Sequence, residues 1–470
     1  MDSMRWLLVC CCIVGLIPTY AQIQSDSTSW LRLNRVIIIG NKKTLDRIIT
    51  RELTLKPGDS IKRSKLDTTL ARDKHRIYNL RLFHTVKPRA LELPGNSFDL
   101  LVEVEERWYT FLAPIFELSD RNFNEWWQNY DHQINRVNYG ARLFQYNFRG
   151  RNETIRLTAQ FGFSRKFDLT YRIPYIDKKQ KQGLTFDINF SEPKNLSYRT
   201  VDHKLVFLRT DKTLRQKWNA GITYTYRKSF YETHNISFDF ENGSISDTIQ
   251  SLNPNFYGGR SWQWYTSLGY SFLSEHRDVI MYPLKGYMFS AGIRQIGLGW
   301  GEPVKQTIIN ASAAFHKDLG NNFFLSNNTV AYWSNPSAQP YSLYGGMGYK
   351  RTFVRGYEIY VIEGPLWGLN KTTLKKKIFH RTYRLAALPW ERFQHLPFAI
   401  YLKAYFDFGY VKNFPFYKEQ SLNTLYTNRL IGGSGLGLDF VTAYDAVFRV
   451  EYTVNREGAH GFFLHLKKEF

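Results

Sequence analysis

The stretch that decides the fold is Gly345-Gly346-Met347-Gly348-Tyr349-Lys350-Arg351-Thr352-Phe353-Val354-Arg355-Gly356-Tyr357. It ends in Val-Arg-Gly-Tyr and is rich in glycine, a residue that weakens the interior of a strand. Arg355 would also be costly if it faced lipid from a membrane strand. A tight, ordered loop is therefore the better interpretation, and the rest of the sequence should describe the structure that holds this loop.

A carboxylate that could receive Arg355 lies in a later alternating segment, Ala404 to Tyr410. The two-residue period of a strand places Phe406 among apolar side chains on one face, and Asp407 and Gly409 on the other. If the apolar face contacts lipid, the aspartate points into a barrel lumen and can accept a forked hydrogen bond from the arginine, a geometry that lysine cannot reproduce. The glycine would leave room for the loop. The alternative is that the two charged residues are ordinary polar lumen groups that never meet.

The beginning of the chain is typical of a secretory signal peptide. Arg5 supplies a positive charge, residues 6–17 are apolar, and Thr19-Tyr20-Ala21 offers small residues before a cleavage site. No apolar run in the chain reaches about 18 residues, which excludes spanning helices. We expect a signal peptide at residues 1–21, a polar linker at 22–30 and an exported mature protein.

The cysteines and the charge narrow the class of protein further. Cys10, Cys11 and Cys12 all lie in the expected signal peptide, so the mature chain needs no disulfide and has no thiolate metal ligand. Cys10 follows Arg5 too closely for a lipoprotein signal. The net charge of +22 is dispersed rather than clustered, and no nucleic-acid-binding motif occurs. Anionic lipid head groups are the expected counter-charge; nucleic acid and cofactors are not expected.

Residues 31–107 have the pattern of a small α+β domain. The predicted elements are a strand at 35–39, a helix capped by Thr44, a helix from Ser64, and strands at 84–90 and 98–105. Gly40-Asn41 and the segment from Tyr78 to Phe83 resemble the POTRA domain, the periplasmic module of the BamA-like outer-membrane superfamily. Another small α+β domain is the alternative. A free sheet edge in such a domain could accept an extended client peptide.

From Trp108 onward the sequence changes to alternating segments separated by Gly, Asn, Asp and Pro. The alternation is clear at 155–161, 186–190, 218–226, 236–240, 262–272, 287–293 and 307–315. A soluble β-sandwich would also alternate, but the signal peptide, the 17% aromatic content and the number of strands favour a membrane barrel. At roughly 22 residues per strand, residues 108–470 predict an antiparallel transmembrane β-barrel of about 16 strands, with both termini in the periplasm.

Three segments of the barrel region stand apart from the alternation. Residues 242–260, rich in Gly, Asn, Ser and Asp, indicate a long extracellular loop, and residues 334–344, with two prolines, indicate another loop boundary. Residues 371–377 form a basic cluster, which we interpret as a solvated strand end; a specific site for lipid head groups is the alternative.

Two motifs identify the family that this chain resembles. Val354-Arg355-Gly356-Tyr357 is similar to the Val-Arg-Gly-aromatic loop motif of the BamA/TamA-like outer-membrane assembly superfamily, and Tyr405 to Gly409 is similar to its Phe-x-Asp-x-Gly strand motif. Weaker similarities are Arg277-Asp278 with Pro283 to Gly286, Tyr146 to Gly150, and Gly435 to Leu438. The resemblance implies a mainly β fold, a barrel behind one POTRA-like domain. This chain departs from its relatives at Leu374-Lys375-Lys376-Lys377-Ile378, where an acidic residue often precedes a basic one.

The two ends of the barrel sheet form the predicted seam. The first strand, Trp108 to Leu118, contains Pro114, which cannot donate a ladder hydrogen bond. The last strand contains Gly461 near its start and ends at the aromatic Phe470. The hypothesis is that this seam lacks hydrogen bonds and opens sideways so that a client strand can add to the barrel edge. A kink of the proline at a strand end is the alternative.

These features together predict an outer-membrane protein that inserts or translocates client proteins. The expected partners are unfolded outer-membrane or secreted client polypeptides, the lipid bilayer, and accessory periplasmic or lipoprotein subunits. A polypeptide-secretion or solute pore is the alternative function. An enzyme is not expected, because the eleven histidines show no metal spacing and no Ser-His-Asp grouping.

Overall fold

A computed structural model describes residues 29–118, 137–349, 352–384, 395–442 and 446–467. The expected signal peptide at residues 1–21, most of the expected linker and the terminal Phe470 lie outside the described residues. The described chain forms a small α+β domain followed by a large antiparallel sheet. No helix in the described ranges is long and apolar enough to cross a membrane.

The small domain packs two helices on a four-stranded sheet. Its elements are β1 (Trp30–Ile39), α1 (Asp46–Thr50), β2 (Ser60–Lys62), α2 (Arg63–Asn79), β3 (Phe83–Leu93) and β4 (Ser97–Glu106). The sheet order is β2-β1-β4-β3, and β1 runs parallel to β4. The core buries Leu33, Ile49, Ile77, Phe83 and Phe98. The short strand β2 was not predicted, and Trp30 of the expected linker is already part of β1.

The prediction that Thr44 caps the first helix is wrong. Helix α1 begins at Asp46, and the residue at its N-cap is Leu45, whose side chain makes no capping bond. The Thr44 hydroxyl instead donates to Glu106 Oε1 at 2.7 Å. It also accepts from Asn147 Nδ2, at 2.8 Å, on the barrel. The buried Glu106 carboxylate thus binds the Thr44 hydroxyl in place of a helix end, and Thr44 connects the domain to the barrel through Asn147.

The sixteen strands of the large sheet confirm the predicted strand number. They are β5 (Thr110–Leu118), β6 (Val137–Phe148), β7 (Glu153–Gly162), β8 (Arg165–Ile173), β9 (Gln182–Glu192), β12 (Arg215–Arg227), β13 (Glu232–Ile245), β14 (Trp262–Glu275), β15 (Gly286–Ile296), β16 (Gln306–Gly320), β17 (Phe323–Asn335), β20 (Leu366–Arg384), β21 (His395–Lys412), β22 (Leu430–Thr442), β23 (Val447–Asn455) and β24 (His460–Lys467). Each of these strands pairs antiparallel with the next of the sixteen along the chain.

Alternating side chains give the sheet a lipid face and a lumen face. On β13, Ile236, Phe238 and Phe240 are exposed, whereas Asp239 between them points inward and meets Arg294 across the sheet. On β21, Phe406 is 56% exposed and Asp407 is fully buried. This arrangement confirms the membrane-barrel interpretation over a two-layer sandwich, since one sheet carries the apolar face outward.

The barrel has a near end, which faces the small domain, and a far end with longer loops. Far-end loops carry a hairpin, β10 (Asn195–Val201) with β11 (Lys204–Arg209), and two helices, α3 (Asp247–Leu252) and α4 (Pro415–Glu419). The expected loop at 242–260 is shorter than predicted, because its first residues, 242–245, extend β13. The expected loop boundary at 334–344 begins as β17 ends and contains a 3-10 turn, Tyr341–Leu343.

The basic cluster at 371–377 is not a strand end. It occupies the middle of β20, which continues to Arg384. Lys375 is buried on the lumen side, with its Nζ 4.3 Å from the centroid of the Tyr282 ring. The prediction of a solvated strand end is wrong, because the two-residue period turns alternate lysines of this run into the barrel.

Candidate functional site

The quoted stretch forms a loop inside the barrel, which we call the inner loop and define as residues 345–361. Two short strands, β18 (Gly346–Met347) and β19 (Ile362–Glu363), pair at its base. Gly348 has a φ of +99°, a conformation that other residues rarely adopt, and an added Cβ would lie 2.1 Å from the Tyr360 carbonyl oxygen. This base directs the described tip of the loop into the lumen.

The structure brings Arg355 and Asp407 together by a forked ion pair. Arg355 Nε donates to Asp407 Oδ2 at 2.8 Å, and Nη2 donates to Oδ1 at 2.5 Å. The backbone N–H of the arginine also donates to Oδ2, at 3.2 Å. Arg355 is 7% exposed and Asp407 is 0% exposed. Both carboxylate oxygens are therefore satisfied by one loop residue, which fixes the loop in position as well as in charge.

Three further groups surround the guanidinium of Arg355. Nη2 donates to Thr373 Oγ1 at 3.1 Å on β20, and Nη1 donates to Glu451 Oε1 at 3.3 Å on β23. The guanidinium carbon lies 3.7 Å from the centroid of the Tyr405 ring, a cation–π contact. The arginine thus joins three strands of the wall, β20, β21 and β23.

The ion pair continues into a wider network of alternating charges. Lys403 Nζ lies 2.8 Å from Glu451 Oε1 and 2.5 Å from Asp439 Oδ1. Asp439 is also 3.3 Å from Arg449 Nε and accepts a hydrogen bond from Tyr282 at 2.9 Å. Because every buried carboxylate in this network faces a cation, the desolvation of each charge is offset by its neighbours.

Glycines open the space that the inner loop occupies. A Cβ added at Gly433 on β22 would lie 1.9 Å from the Arg355 carbonyl oxygen, and one added at Gly409 would lie 2.8 Å from Val354 Cγ2. Gly356 has a φ of +91° and passes close to Asn455, whose Nδ2 donates to the Gly356 carbonyl oxygen at 3.0 Å. The loop therefore fits the wall only because these positions lack side chains.

The other predicted site residues fall in two places. Val354 and Tyr357, which flank the arginine in the sequence, are buried in an apolar cluster that includes Tyr426, and the Tyr357 hydroxyl donates to Glu457. Phe406 does not join the site, because it lies on the lipid face. The sequence prediction also missed Thr373, Lys403, Asp439, Glu451 and Gly433; their inward positions follow from strand register, which only the pairing establishes.

The predicted seam residues lie at the two ends of the sheet. β5 and β24 are the first and last strands, and within the described residues no ladder joins them. Pro114 is the central residue of β5, so the alternative of a strand-end kink is wrong. Gly461 is the second residue of β24. The proline thus occupies an edge strand, where a missing N–H is tolerated.

The inner loop also reaches the last strand. The Phe353 ring stacks on the His465 ring of β24 at 5.7 Å between centroids. His465 Nε2 lies 3.4 Å from Glu451 Oε2, so the strand also contacts the charge network. Within the described ranges no group of three or more His, Cys, Asp and Glu side chains could hold a metal ion.

Comparison with known families decides the classification. A family model described as the Omp85 superfamily domain matches residues 147–462, and a second, the POTRA model described as surface antigen variable number repeat, matches residues 31–107. The chain belongs to the Omp85 superfamily. Its barrel therefore resides in the outer membrane with the POTRA domain in the periplasm, and superfamily members are assembly and transport barrels rather than enzymes.

Individual relatives are distant from this Omp85 protein. A putative outer membrane protein assembly factor of Treponema pallidum (strain Nichols) is 37% identical over 78 residues, which cover 16% of this chain and 9% of that protein. The crystal structure of BamA from Haemophilus ducreyi lacking POTRA domains 1–3 is similar with a TM-score of 0.50 at 13% identity, covering 93% of this chain and 83% of that one. The structure of CdiB from Escherichia coli is similar with a TM-score of 0.53 at 11% identity, covering 93% of this chain and 75% of that one. At these identities the two structures show the fold alone.

Proposed function

We propose that this protein inserts or translocates client polypeptides at the outer membrane through a seam between β24 and β5, with the inner loop as a latch. The observation that carries the proposal is the absence of a ladder between the described parts of these two strands. Unfolded outer-membrane or secreted polypeptides are the proposed clients. A putative assembly factor among the relatives supports this class of function.

An open seam has a physical consequence in a membrane. Each backbone N–H or C=O group that faces hydrocarbon without a hydrogen bond costs roughly several kcal/mol of free energy. An unpaired strand edge therefore favours any partner that supplies these hydrogen bonds. An extended client segment can supply them by strand addition. Leu112 and Phe116 on β5, and Phe462 and Leu464 on β24, present apolar side chains to lipid beside this edge.

The inner loop is suited to brace the β24 side of the seam. Its contacts with Thr373, Asp407, Glu451 and His465 span four of the last five strands of the sheet. Holding these strands in register keeps the β24 edge in a defined position while that edge lacks a partner strand. Release of Arg355 from Asp407 would loosen the same strands together, which is the action of a latch.

The domain division and the remaining partners belong to the same proposal. We assign residues 1–21 to a signal peptide, 22–30 to a linker, 31–107 to the periplasmic domain and 108–470 to the barrel. Edge strand β3 pairs only with β4 in the described sheet and carries Pro88. It offers accessory periplasmic or lipoprotein subunits a pairing edge, and anionic lipid head groups surround the basic barrel.

A disulfide across the seam tests the proposal. Cysteine pairs would combine position 112 or 116 of β5 with position 462 or 464 of β24, and the pair that oxidises fully would be used. We expect the oxidised protein to stop client assembly and a reductant to restore it, measured as folded client in the outer membrane. The matched control is Phe238→Cys with Leu268→Cys, which face each other across a complete ladder. Normal assembly with a fully locked seam would refute lateral opening.

A further inference from the structure

A large cavity lies where the POTRA domain meets the near end of the barrel. Its volume is about 680 Å³, and helix α2 forms one wall while the lumen faces of β8, β9 and β12 to β14 form the other. Ties between the two walls close it: Glu52 accepts from Arg227 at 2.6 and 2.7 Å, and Asn79 Nδ2 donates to the Asp278 carbonyl oxygen at 2.9 Å. The inner loop contributes no lining residue.

The cavity carries a large excess of positive charge. Nine lysine and arginine side chains line it, against three carboxylates. Two of the three carboxylates are already engaged in forked pairs, Glu52 with Arg227 and Glu275 with Arg277. Among the other lining cations, Arg76 lies 3.1 Å from Asp73 and Lys285 lies 2.9 Å from Asp318. The excess of positive charge in the cavity therefore belongs to lining cations such as Arg172 and Lys181.

Two of these cations define the site most clearly. Arg172 on β8 has no carboxylate within ion-pair distance among the described residues, and its strand position turns it into the lumen. On the POTRA wall, Arg51 stacks its guanidinium 3.7 Å from the centroid of Tyr175, and its buried Nη1 has no hydrogen-bond partner there. Burial lowers the pKa of Arg51 to about 10, and the positive Arg227 contributes to the shift. Arg51 Nε lies 3.8 Å from Glu52 Oε1, but Arg227 already holds both oxygens of that carboxylate. An added anion would therefore be a further partner for both Arg51 and Arg172.

We propose that this junction cavity is a binding site for a compact anion that carries phosphate. Planar guanidinium groups match phosphate oxygens with paired hydrogen bonds, and a phosphate group concentrates more charge in a small volume than a peptide carboxylate. The volume is in the range of small-molecule sites. An extended acidic peptide fits less well, because the Glu52–Arg227 and Asn79–Asp278 ties would block its passage.

The bound anion would join the two domains. Arg51 and Arg72 belong to the POTRA wall, and Arg172 and Lys181 belong to the barrel, so one ligand neutralises both sides at once. The site fixes the orientation of the POTRA domain below the lumen. This inference rests on the junction alone and stands whether or not the seam opens.

Pyrophosphate is the probe for a direct test, because it is compact and multiply charged. Titration calorimetry of the full chain in a neutral maltoside detergent should show saturable binding at one site. Arg172→Gln should weaken it at least tenfold, and Arg51→Gln, on the opposite wall, should do the same. The matched control is Arg381→Gln, an exposed arginine on β20 outside the cavity, which should bind as the unaltered protein does. Heat-dependent gel mobility checks that each barrel is folded.

Further measurements distinguish a lipid head group from a soluble phosphate compound, and a phosphate ligand from an acidic polypeptide. Lower pyrophosphate affinity in nanodiscs of phosphatidylglycerol than in nanodiscs of phosphatidylcholine would identify a lipid head group as the source; equal affinity would identify a soluble phosphate compound. Absence of pyrophosphate binding overturns the proposal, as does equal weakening by Arg381→Gln. Tighter binding of a polyglutamate peptide that Arg172→Gln abolishes would also overturn it, in favour of an acidic polypeptide.

Discussion

The Arg355–Asp407 pair shows how a buried charge is held inside a membrane barrel. Removing the two ions from water costs roughly several kcal/mol of free energy per ion. Their mutual attraction offsets this cost only when their remaining donors and acceptors also have hydrogen-bond partners. Here Thr373, Glu451 and the Tyr405 ring complete the shell of the guanidinium. The pair is therefore weak evidence for net stability but strong evidence for a defined loop position.

Removal of one partner of this pair should be costly. Asp407→Asn leaves Arg355 buried with a neutral acceptor, and we expect the free energy of unfolding to fall by about 3–5 kcal/mol, or by less where water reaches the pair. Arg355→Lys keeps the charge but loses the fork, so a smaller loss is expected. Urea unfolding in detergent, followed by gel mobility, measures both.

The matched control for this prediction is Asp318→Asn. Asp318 pairs with Lys285 at 2.9 Å, with both side chains partly exposed at a barrel turn. Surface pairs contribute about 0–1 kcal/mol, so the same substitution there should change little. Equal losses of unfolding free energy at the two positions would show that the buried pair contributes no more to stability than a surface ion pair does.

Adjacent glycines on β22 provide a second test at the residue scale. Gly433→Ala places a methyl group 1.9 Å from the Arg355 carbonyl oxygen. A methyl group added at Gly432 would lie 3.5 Å from its nearest neighbour, the Asp407 carbonyl oxygen. Overpacking costs typically about 1–3 kcal/mol, so Gly433→Ala should lower unfolding stability and displace the inner loop, and Gly432→Ala should do neither. Protease cleavage of the loop reports the displacement. Protection that is identical in both variants would contradict the close fit.

At the scale of elements, the strands were predictable and the contacts between loops were not. Lipid and lumen on opposite sides of one sheet force a two-residue period, which the sequence displays from Ile155 to Phe315. The same period placed Asp407 inward. By contrast, the hydrogen bond from the His203 N–H to Asn423 Oδ1 joins residues 220 positions apart, and no local sequence pattern predicts it. Thr44 failed as a helix cap for a similar reason, since its partner Glu106 is distant in sequence.

The packing of the far-end loops should weaken in acid because of His203. Its Nε2 accepts from the Tyr426 N–H at 3.0 Å, which requires a neutral ring, and burial lowers its pKa to about 4. In an opened loop the ring regains a pKa of about 6.5 and binds a proton first, so the packed state loses stability as pH falls from about 6.5 to 4. The loss should reach about 2 kcal/mol at pH 5.

Hydrogen exchange of the loop amides at pH 7.5 and 5, corrected for intrinsic rates, measures this effect. Protection around Tyr426 should decrease in acid relative to the strands β13 and β14. His203→Phe serves as the control: it removes the titrating ring, so its loop should be weaker at both values but nearly independent of pH. Unchanged protection in the unaltered protein would show that His203 does not govern the loop contact.

At the scale of the whole molecule, both ends of the lumen are obstructed. The POTRA domain is fastened under the near end by Glu52–Arg227 and by Arg76, whose Nη2 donates to the Tyr231 hydroxyl at 2.9 Å. At the far end the β10–β11 hairpin joins the inner loop through the Val361 N–H, which donates to the His203 carbonyl oxygen at 2.8 Å. A barrel obstructed in this way differs from a plain pore, in which the lumen is open.

This difference predicts the conductance of the purified protein. In planar bilayers the unaltered chain should show small, infrequent currents, because the inner loop lies across the path of ions. Asp407→Asn frees the loop from β21, so openings should become several times more frequent, while Asp318→Asn should leave the record unchanged. Large constant currents from the unaltered protein would establish a plain pore instead. Frequent openings in Asp407→Asn without any loss of client assembly would separate the two roles, leaving the loop as a plug rather than a latch on the seam.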